Sequence, residues 1–177
     1  MSNYRRVFIQ NSYVFLTIVT HKRTPILVKN IELLRKAFRN VKEFYTFEII
    51  ACVILPEHLH IILSPEKIED YPKIISSIKH SFSRSLDVKV DDLSESKLTK
   101  REKGVWHRRY FEHTIVDEKD LNKHIDYVHY NPVKHGLVSL VKDWEYSTFH
   151  KFRHNNIYDE NWGSCEISKS VLLLYKD

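Results

Sequence analysis

Leu55–Leu63 reads Leu-Pro-Glu-His-Leu-His-Ile-Ile-Leu (LPEHLHIIL), and its alternation decides how the rest of the chain is read. Strand side chains point in turn to opposite faces. Leu59, Ile61 and Leu63 therefore enter one core while His58 and His60 share the other face, about 7 Å apart along the strand. At that spacing two imidazoles can converge on one metal ion. Solvation of a half-exposed strand is the commoner explanation of an isolated His-x-His pair, so its assignment depends on residues elsewhere in the chain.

Upstream, Tyr13–Thr20 (YVFLTIVT) is β-branched and aromatic and predicts a first strand, ended by the basic turn His21–Pro25. Asn30 is placed to cap a helix whose Ile31, Leu34, Phe38 and Val41 recur at helical spacing. A second strand over Thr46–Leu55 meets the His-x-His strand through the Pro56–Glu57 turn, which predicts a hairpin. Asp70 begins a second helix with Pro72 in its first turn and Ile74, Ile75, Ile78, Phe82 and Leu86 on its apolar face. Asp87–Gly104 is a run of mixed charge and reads as a long connection. Val105–Val116 leads into a fourth strand, and Asp117 caps a third helix expected to end before Pro132. The order strand, helix, strand, strand, helix, strand predicts an α+β fold. It is a ferredoxin-like antiparallel sheet with two helices on one face and an additional tyrosine-bearing helix against the other.

Composition narrows the class. The 177 residues suit one domain and a tail, with 42% hydrophobic and 29% charged residues. Expected boundaries are an arm over 1–12, a domain over 13–155 and a tail over 156–177. A net charge of +5 suits a polyanionic partner without requiring one. Cys52 and Cys165 lack metal or redox spacing, and Cys52 lies in an apolar run, so a buried free thiol is expected. No signal-peptide pattern or membrane-length apolar run is present, and the expected compartment is the cytoplasm.

On the third helix, Leu121, Ile125 and Val128 form one stripe, and Asp120, His124, Tyr127 and Asn131 a neighbouring one, at about 100° per residue. A solvated face with an edge tyrosine fits that pattern too. The same helix, however, runs on into Tyr-Val-His-Tyr-Asn-Pro-Val-Lys-His-Gly, an unusual composition for a plain surface.

LPEHLHIIL resembles the HUH motif, and HIDYVHYNPVKHGLV (124–138) resembles the tyrosine helix, of the single-tyrosine HUH transposases, specifically the REP-associated tyrosine transposases. SNYRR (2–6), WHRRYFEH (106–113) and DWEYSTFH (143–150) are similar to the same group, so the likeness covers most of residues 1–155. The charged Asp87–Gly104 segment is longer than the pattern, and Ser164–Asp177 does not align with it. The resemblance implies metal-dependent cleavage and strand transfer on single-stranded DNA hairpins through a covalent 5′-phosphotyrosine. By position Tyr127 matches the nucleophile, His58 and His60 match metal ligands, and Asn131 matches the third protein ligand.

The residue types suit that chemistry. Imidazole and amide ligands accept a divalent ion, Mg²⁺ or Mn²⁺, with Mn²⁺ the better match for nitrogen and zinc not excluded. His124 and Asp120 can orient or deprotonate Tyr127, or can simply pair and cap. Trp106, Arg108, Arg109 and Tyr110 offer stacking and phosphate contacts, and Tyr4, Arg5 and Arg6 of the arm offer the same to an unpaired sequence at a hairpin foot. No protein partner is evident, and both a monomer and a homodimer are compatible with the sequence. Two rival classes stand beside this one. A non-cutting DNA-hairpin-binding protein would not need Tyr127. The other is a metal-dependent or two-histidine phosphoesterase acting on small substrates, the latter of which needs paired His-x-Ser/Thr motifs, whereas His60 is followed by Ile61 and Ile62 and no matching second motif is present.

Overall fold

The computed structural model describes residues 8–87, 104–159 and 161–163. Tyr4, Arg5 and Arg6, most of the charged segment, and the tail from residue 164 lie outside the described residues. The elements are β1 (Val14–Val19), α1 (Ile31–Lys42), β2 (Phe47–Ile54), β3 (His58–Pro65), α2 (Tyr71–Ser85), β4 (Phe111–Thr114), α3 (Glu118–Lys134) and a short α4 (Phe149–His154). The four strands form one sheet in the order β2-β3-β1-β4, every pair antiparallel, as the ferredoxin-like reading requires.

Two cores lie on the two faces of that sheet. Val14, Leu16 and Ile18 of β1 and Leu59, Ile61 and Leu63 of β3 pack against Leu34, Ala37 and Val41 of α1 and Ile74, Ile75, Ile78 and Phe82 of α2. Phe15, Ala51, Val53 and Ile62 pack on the other side against Ile125, Tyr127 and Val128 of α3. β1 and β3 are thus buried on both faces, which accounts for their nearly unbroken apolar composition. A register shift between Ile49 and Ala51 reverses the parity of β2. Phe47 and Ile49 face α1 and α2, whereas Ala51 and Val53 face α3.

The segment after α3 covers the free edge of β2. Ile54 N–H donates to Tyr146 O at 2.9 Å, Thr148 N–H donates to Cys52 O at 2.8 Å, and the Thr148 hydroxyl accepts from Cys52 N–H at 2.8 Å. These bonds occupy backbone groups that an edge strand would otherwise offer to another chain. Cys52 is a buried free thiol, as expected, and burial pushes its pKa up to about 12. Among the described residues no helix is long and apolar enough to cross a membrane.

Two helix ends differ from expectation. Asn30 precedes α1, but its side chain donates backward to Ile26 O at 2.8 Å, stabilising the preceding turn instead of capping the helix. α3 does not stop before Pro132 but runs through it to Lys134. Proline removes one N–H, a small loss in a final turn whose remaining groups are satisfied. Gly136, at φ +67°, closes the helix with Gly136 N–H to Val133 O and Leu137 N–H to Pro132 O, both 2.9 Å.

Candidate metal centre and tyrosine site

The β2–β3 turn sets the position of the two histidines. Thr20 holds Glu57 O through both its N–H (2.9 Å) and its hydroxyl (2.8 Å), and Leu55 N–H donates to His58 O at 2.9 Å. His58 and His60 then project from one face of β3 beneath α3. They are 2% and 0% exposed, so the face they share is an enclosed layer under that helix.

Each imidazole is oriented by a neighbour. The Glu57 carboxylate lies 2.9 Å from His58 Nδ1 and also 3.6 Å from the Arg23 guanidinium. An ionised carboxylate only accepts, so His58 Nδ1 carries the proton and Nε2 the lone pair. Thr17 Oγ1 lies 2.9 Å from His60 Nδ1. Burial lowers the pKa of His58, outweighing the favourable charge of Glu57, and keeps the ring neutral as a metal ligand must be. Such carboxylate and hydroxyl partners are what orient ligating histidines in metal centres.

α3 supplies the opposing wall. Its N-terminus is capped by Asp117, whose carboxylate accepts from Asp120 N–H at 2.7 Å. The Tyr127 ring meets His60 edge-on at 5.2 Å and Phe15 at 5.9 Å, and the residue is 2% exposed. Two turns further on, the His135 ring lies 5.0 Å from His58. Asn131 falls midway between these contacts on the same side of the helix, wholly buried, with neither its amide oxygen nor its nitrogen hydrogen-bonded. A buried primary amide without partners costs several kcal/mol unless something takes its oxygen. With His58 and His60 on the facing strand, that oxygen completes a donor set of a kind that fits a divalent cation.

Lys134 and His135 were not among the residues expected here. Lys134 donates from Nζ to the Tyr127 hydroxyl at 3.2 Å, with the ammonium 4.7 Å from the ring centroid. An ammonium so placed stabilises negative charge that develops on that oxygen. The available signal was spacing: positions i+7 and i+8 from Tyr127 return to its side of a helix, provided the helix continues past Pro132.

Asp120 and His124 are engaged with β4. The Asp120 carboxylate accepts from Val116 N–H at 3.1 Å and lies 2.8 Å from His113 Nε2, while His124 Nδ1 donates to Asp120 O at 2.7 Å. His113 and His124 stack at 4.7 Å, and His124 meets Phe15 at 4.9 Å. Burial acts to raise the Asp120 pKa, but the His113 and Val116 hydrogen bonds and the neighbouring histidines hold it below the usual carboxylate value. Burial lowers His124. Together these contacts clamp the first turns of α3 to β4 and fix the height of Tyr127 above the sheet.

The remaining expected residues lie elsewhere. Arg108 and Tyr110 line a cavity of about 330 Å³ with Pro72, Ser76 and Lys79, on the α2 side of the sheet. Arg109 is exposed beside it. Trp106 packs on Phe82 at 5.4 Å and donates Nε1–H to Lys79 O at 3.1 Å, so its ring serves the α2 core.

A ferredoxin-like sheet presenting a His-x-His pair to a tyrosine on a covering helix defines a class, and comparison with known proteins gives the same one. The IS200-like transposase family model matches residues 8–131, and the chain belongs to that family, within its REP-associated tyrosine transposases. It is 44% identical to a putative REP-associated tyrosine transposase of Haemophilus influenzae, over 92% of this chain and 94% of the relative. It is 36% identical to the REP-associated tyrosine transposase of Escherichia coli K12, over 92% and 91% respectively. A solved REP-associated tyrosine transposase bound to a REP hairpin superposes with a TM-score of 0.79 at 35% identity, covering 92% of this chain and 91% of that one.

Proposed function

We propose that this chain cleaves and rejoins single-stranded DNA beside hairpins of repetitive palindromic sequence, with Tyr127 as the nucleophile. The observation that carries this reading is the position of the Tyr127 hydroxyl, 3.2 Å from an ammonium on a ring packed against His60. The DNA class is supported by the solved relative bound to a REP hairpin and by the chain's net charge of +5.

The Tyr127 oxygen gives up its proton to solvent as Lys134 stabilises the anion, and attacks a backbone phosphorus. The Tyr–O–P bond forms, the P–O3′ bond breaks, and the departing 3′ oxygen takes up a proton, leaving a 5′-phosphotyrosine. Since one phosphodiester replaces another, a second 3′-hydroxyl reverses the step without ATP. A divalent ion, Mg²⁺ or Mn²⁺, held by His58, His60 and Asn131 would supply Lewis-acid polarisation of the phosphate and charge neutralisation at the leaving oxygen. Asp120 and His124 act on the tyrosine by holding α3 to β4, not as its base. One chain supplies all these groups, so a monomer is sufficient for chemistry.

Binding falls to surfaces away from the tyrosine. Arg108, Arg109 and Tyr110 present two guanidinium groups and a ring to backbone and base. Trp106 supports that loop. Tyr4, Arg5 and Arg6 of the arm read an unpaired sequence at the hairpin foot.

The test is incubation with 5′- and 3′-labelled hairpin oligonucleotides carrying an unpaired flank, with and without Mg²⁺ or Mn²⁺. Metal-dependent release of a 3′-hydroxyl fragment from the single-stranded flank, absent from fully paired duplex, is expected. Tight hairpin binding without cutting under every metal would instead establish a non-cutting hairpin-binding protein.

A further inference from the structure

We propose that His135 is a ligand of the metal ion, completing with His58 and His60 a three-imidazole set beside the Asn131 amide. The inference rests on the metal-site reading above and assigns a further residue to it. One ring nitrogen from each of His58, His60 and His135 lies within 4.8 Å of the others. The rings meet edge-on, His58 to His60 at 4.9 Å and His58 to His135 at 5.0 Å. With Nδ1 of His58 committed to Glu57 and Nδ1 of His60 to Thr17, the nitrogen each can give to an ion is Nε2. Metal–nitrogen bonds of about 2.0–2.1 Å bring ligating nitrogens to roughly 3–3.5 Å of one another, so the set needs to tighten by no more than about 1.5–2 Å.

The place of His135 in the backbone suits that adjustment. It is the last residue of the closing turn of α3, at φ −86° and ψ 2°, with its N–H held by Asn131 O at 3.0 Å. Gly136 turns the chain away immediately afterwards, so the ring stands at the helix end rather than in the packed stripe. His135 is also partly exposed, unlike His58 and His60, although its Nε2 is buried. The negative end of the helix dipole lies at this point and favours a cation.

A third imidazole changes which ion the centre prefers. Mg²⁺ takes oxygen ligands and keeps its waters, whereas Mn²⁺, Co²⁺ and Zn²⁺ accept nitrogen readily. The preference expected of this chain is therefore for Mn²⁺, Co²⁺ or Zn²⁺ over Mg²⁺ in binding, whatever ion is abundant.

Co²⁺ binding to the full-length, DNA-free protein tests this by absorption in the visible ligand-field bands and by calorimetry. The variants are His135→Ala, His135→Gln, His58→Ala and His113→Ala, each with its metal-free melting curve recorded. His113→Ala controls for the other cluster with ligand atoms in range, His113, Asp120 and His124. Wild type should bind one Co²⁺. Both His135 variants should weaken binding at least tenfold and alter the bands, with metal-free melting unchanged, and His113→Ala should leave binding as it was. If His58→Ala weakens binding but both His135 variants stay within twofold of wild type, His135 is not a ligand while the metal-site reading survives. If wild type binds no Co²⁺, or loses it only with His113→Ala, the metal-site reading fails and this inference with it.

Discussion

Replacing Lys134 by methionine removes the cation at the Tyr127 hydroxyl while keeping a flexible apolar stem over the ring. The bond lost is charge-assisted, from an ammonium to an oxygen that becomes anionic as it attacks, at 3.2 Å. Hydrogen bonds to charged groups contribute roughly 1.5–3 kcal/mol, and about 1.4 kcal/mol corresponds to tenfold in rate. Lys134 stands partly in solvent, which weakens the interaction and places the expected loss at the low end, about 10- to 30-fold. The assay is the single-turnover cleavage rate of a labelled hairpin oligonucleotide at saturating protein, which separates chemistry from affinity. The deficit should narrow as pH rises, because solvent base then forms the phenolate unaided. Lys134→Arg should retain most of the rate. A Lys134→Met protein that cuts at the wild-type rate at pH 7 would refute the role given to this ammonium.

Further outcomes follow from burial and charge. His129 is wholly buried between Thr148 and Tyr158, at 2.9 and 3.2 Å, and burial, with His150 nearby, lowers its pKa to about 3. The unfolded chain binds that proton near pH 6.5. Stability should therefore be full above that value and lost as pH falls towards the folded pKa, by about 2 kcal/mol between pH 7 and 5. Urea unfolding at both pH values should show this slope reduced in His129→Gln; an equal slope would remove His129 as its source. His60→Ala should abolish metal binding and also lower unfolding stability by on the order of 2–3 kcal/mol, since the ring packs between Phe15 and Tyr127. Unchanged stability in urea would mean that the enclosure of His60 is not maintained in solution. Hairpin affinity should fall steeply as salt rises, through counterion release from a chain of net charge +5; a flat salt response would exclude phosphate contacts as the main source of binding.

Most of the fold was readable because its strands and helices carry distinct periods. The alternation over Leu55–Leu63 correctly placed Leu59, Ile61 and Leu63 against α1 and α2 and the two histidines against α3. The Asp117 cap was likewise readable from the residue type and its position before the periodic stretch. One rule misled. Stopping the third helix before Pro132 hid Lys134 and His135, which join the Tyr127 stripe only when the helix continues. Near a C-terminus the missing proline N–H costs one bond, and the Gly136 closure and burial of Pro132 offset it. The near-complete burial of His58 and His60 was only partly legible: a helix was expected over their face, but how closely α3 packs on them depends on tertiary contact between segments far apart in the chain. The packing of Tyr158 and Trp162, stacked at 4.1 Å beside Phe149, arises from tertiary contact alone, with no periodic pattern to announce it.

The most direct measurement is the identity of the residue joined to DNA. After incubation of the full-length protein with a hairpin oligonucleotide and Mn²⁺, quenching in denaturant, and nuclease and protease digestion, mass spectrometry should find a nucleotide 5′-phosphate on the peptide containing Tyr127. Tyr127→Phe should give no adduct while retaining hairpin affinity within about twofold, since binding depends on phosphate and base contacts rather than the hydroxyl. An adduct on Tyr130, Tyr110 or any residue other than Tyr127, or cleavage that persists undiminished in Tyr127→Phe, would contradict the account.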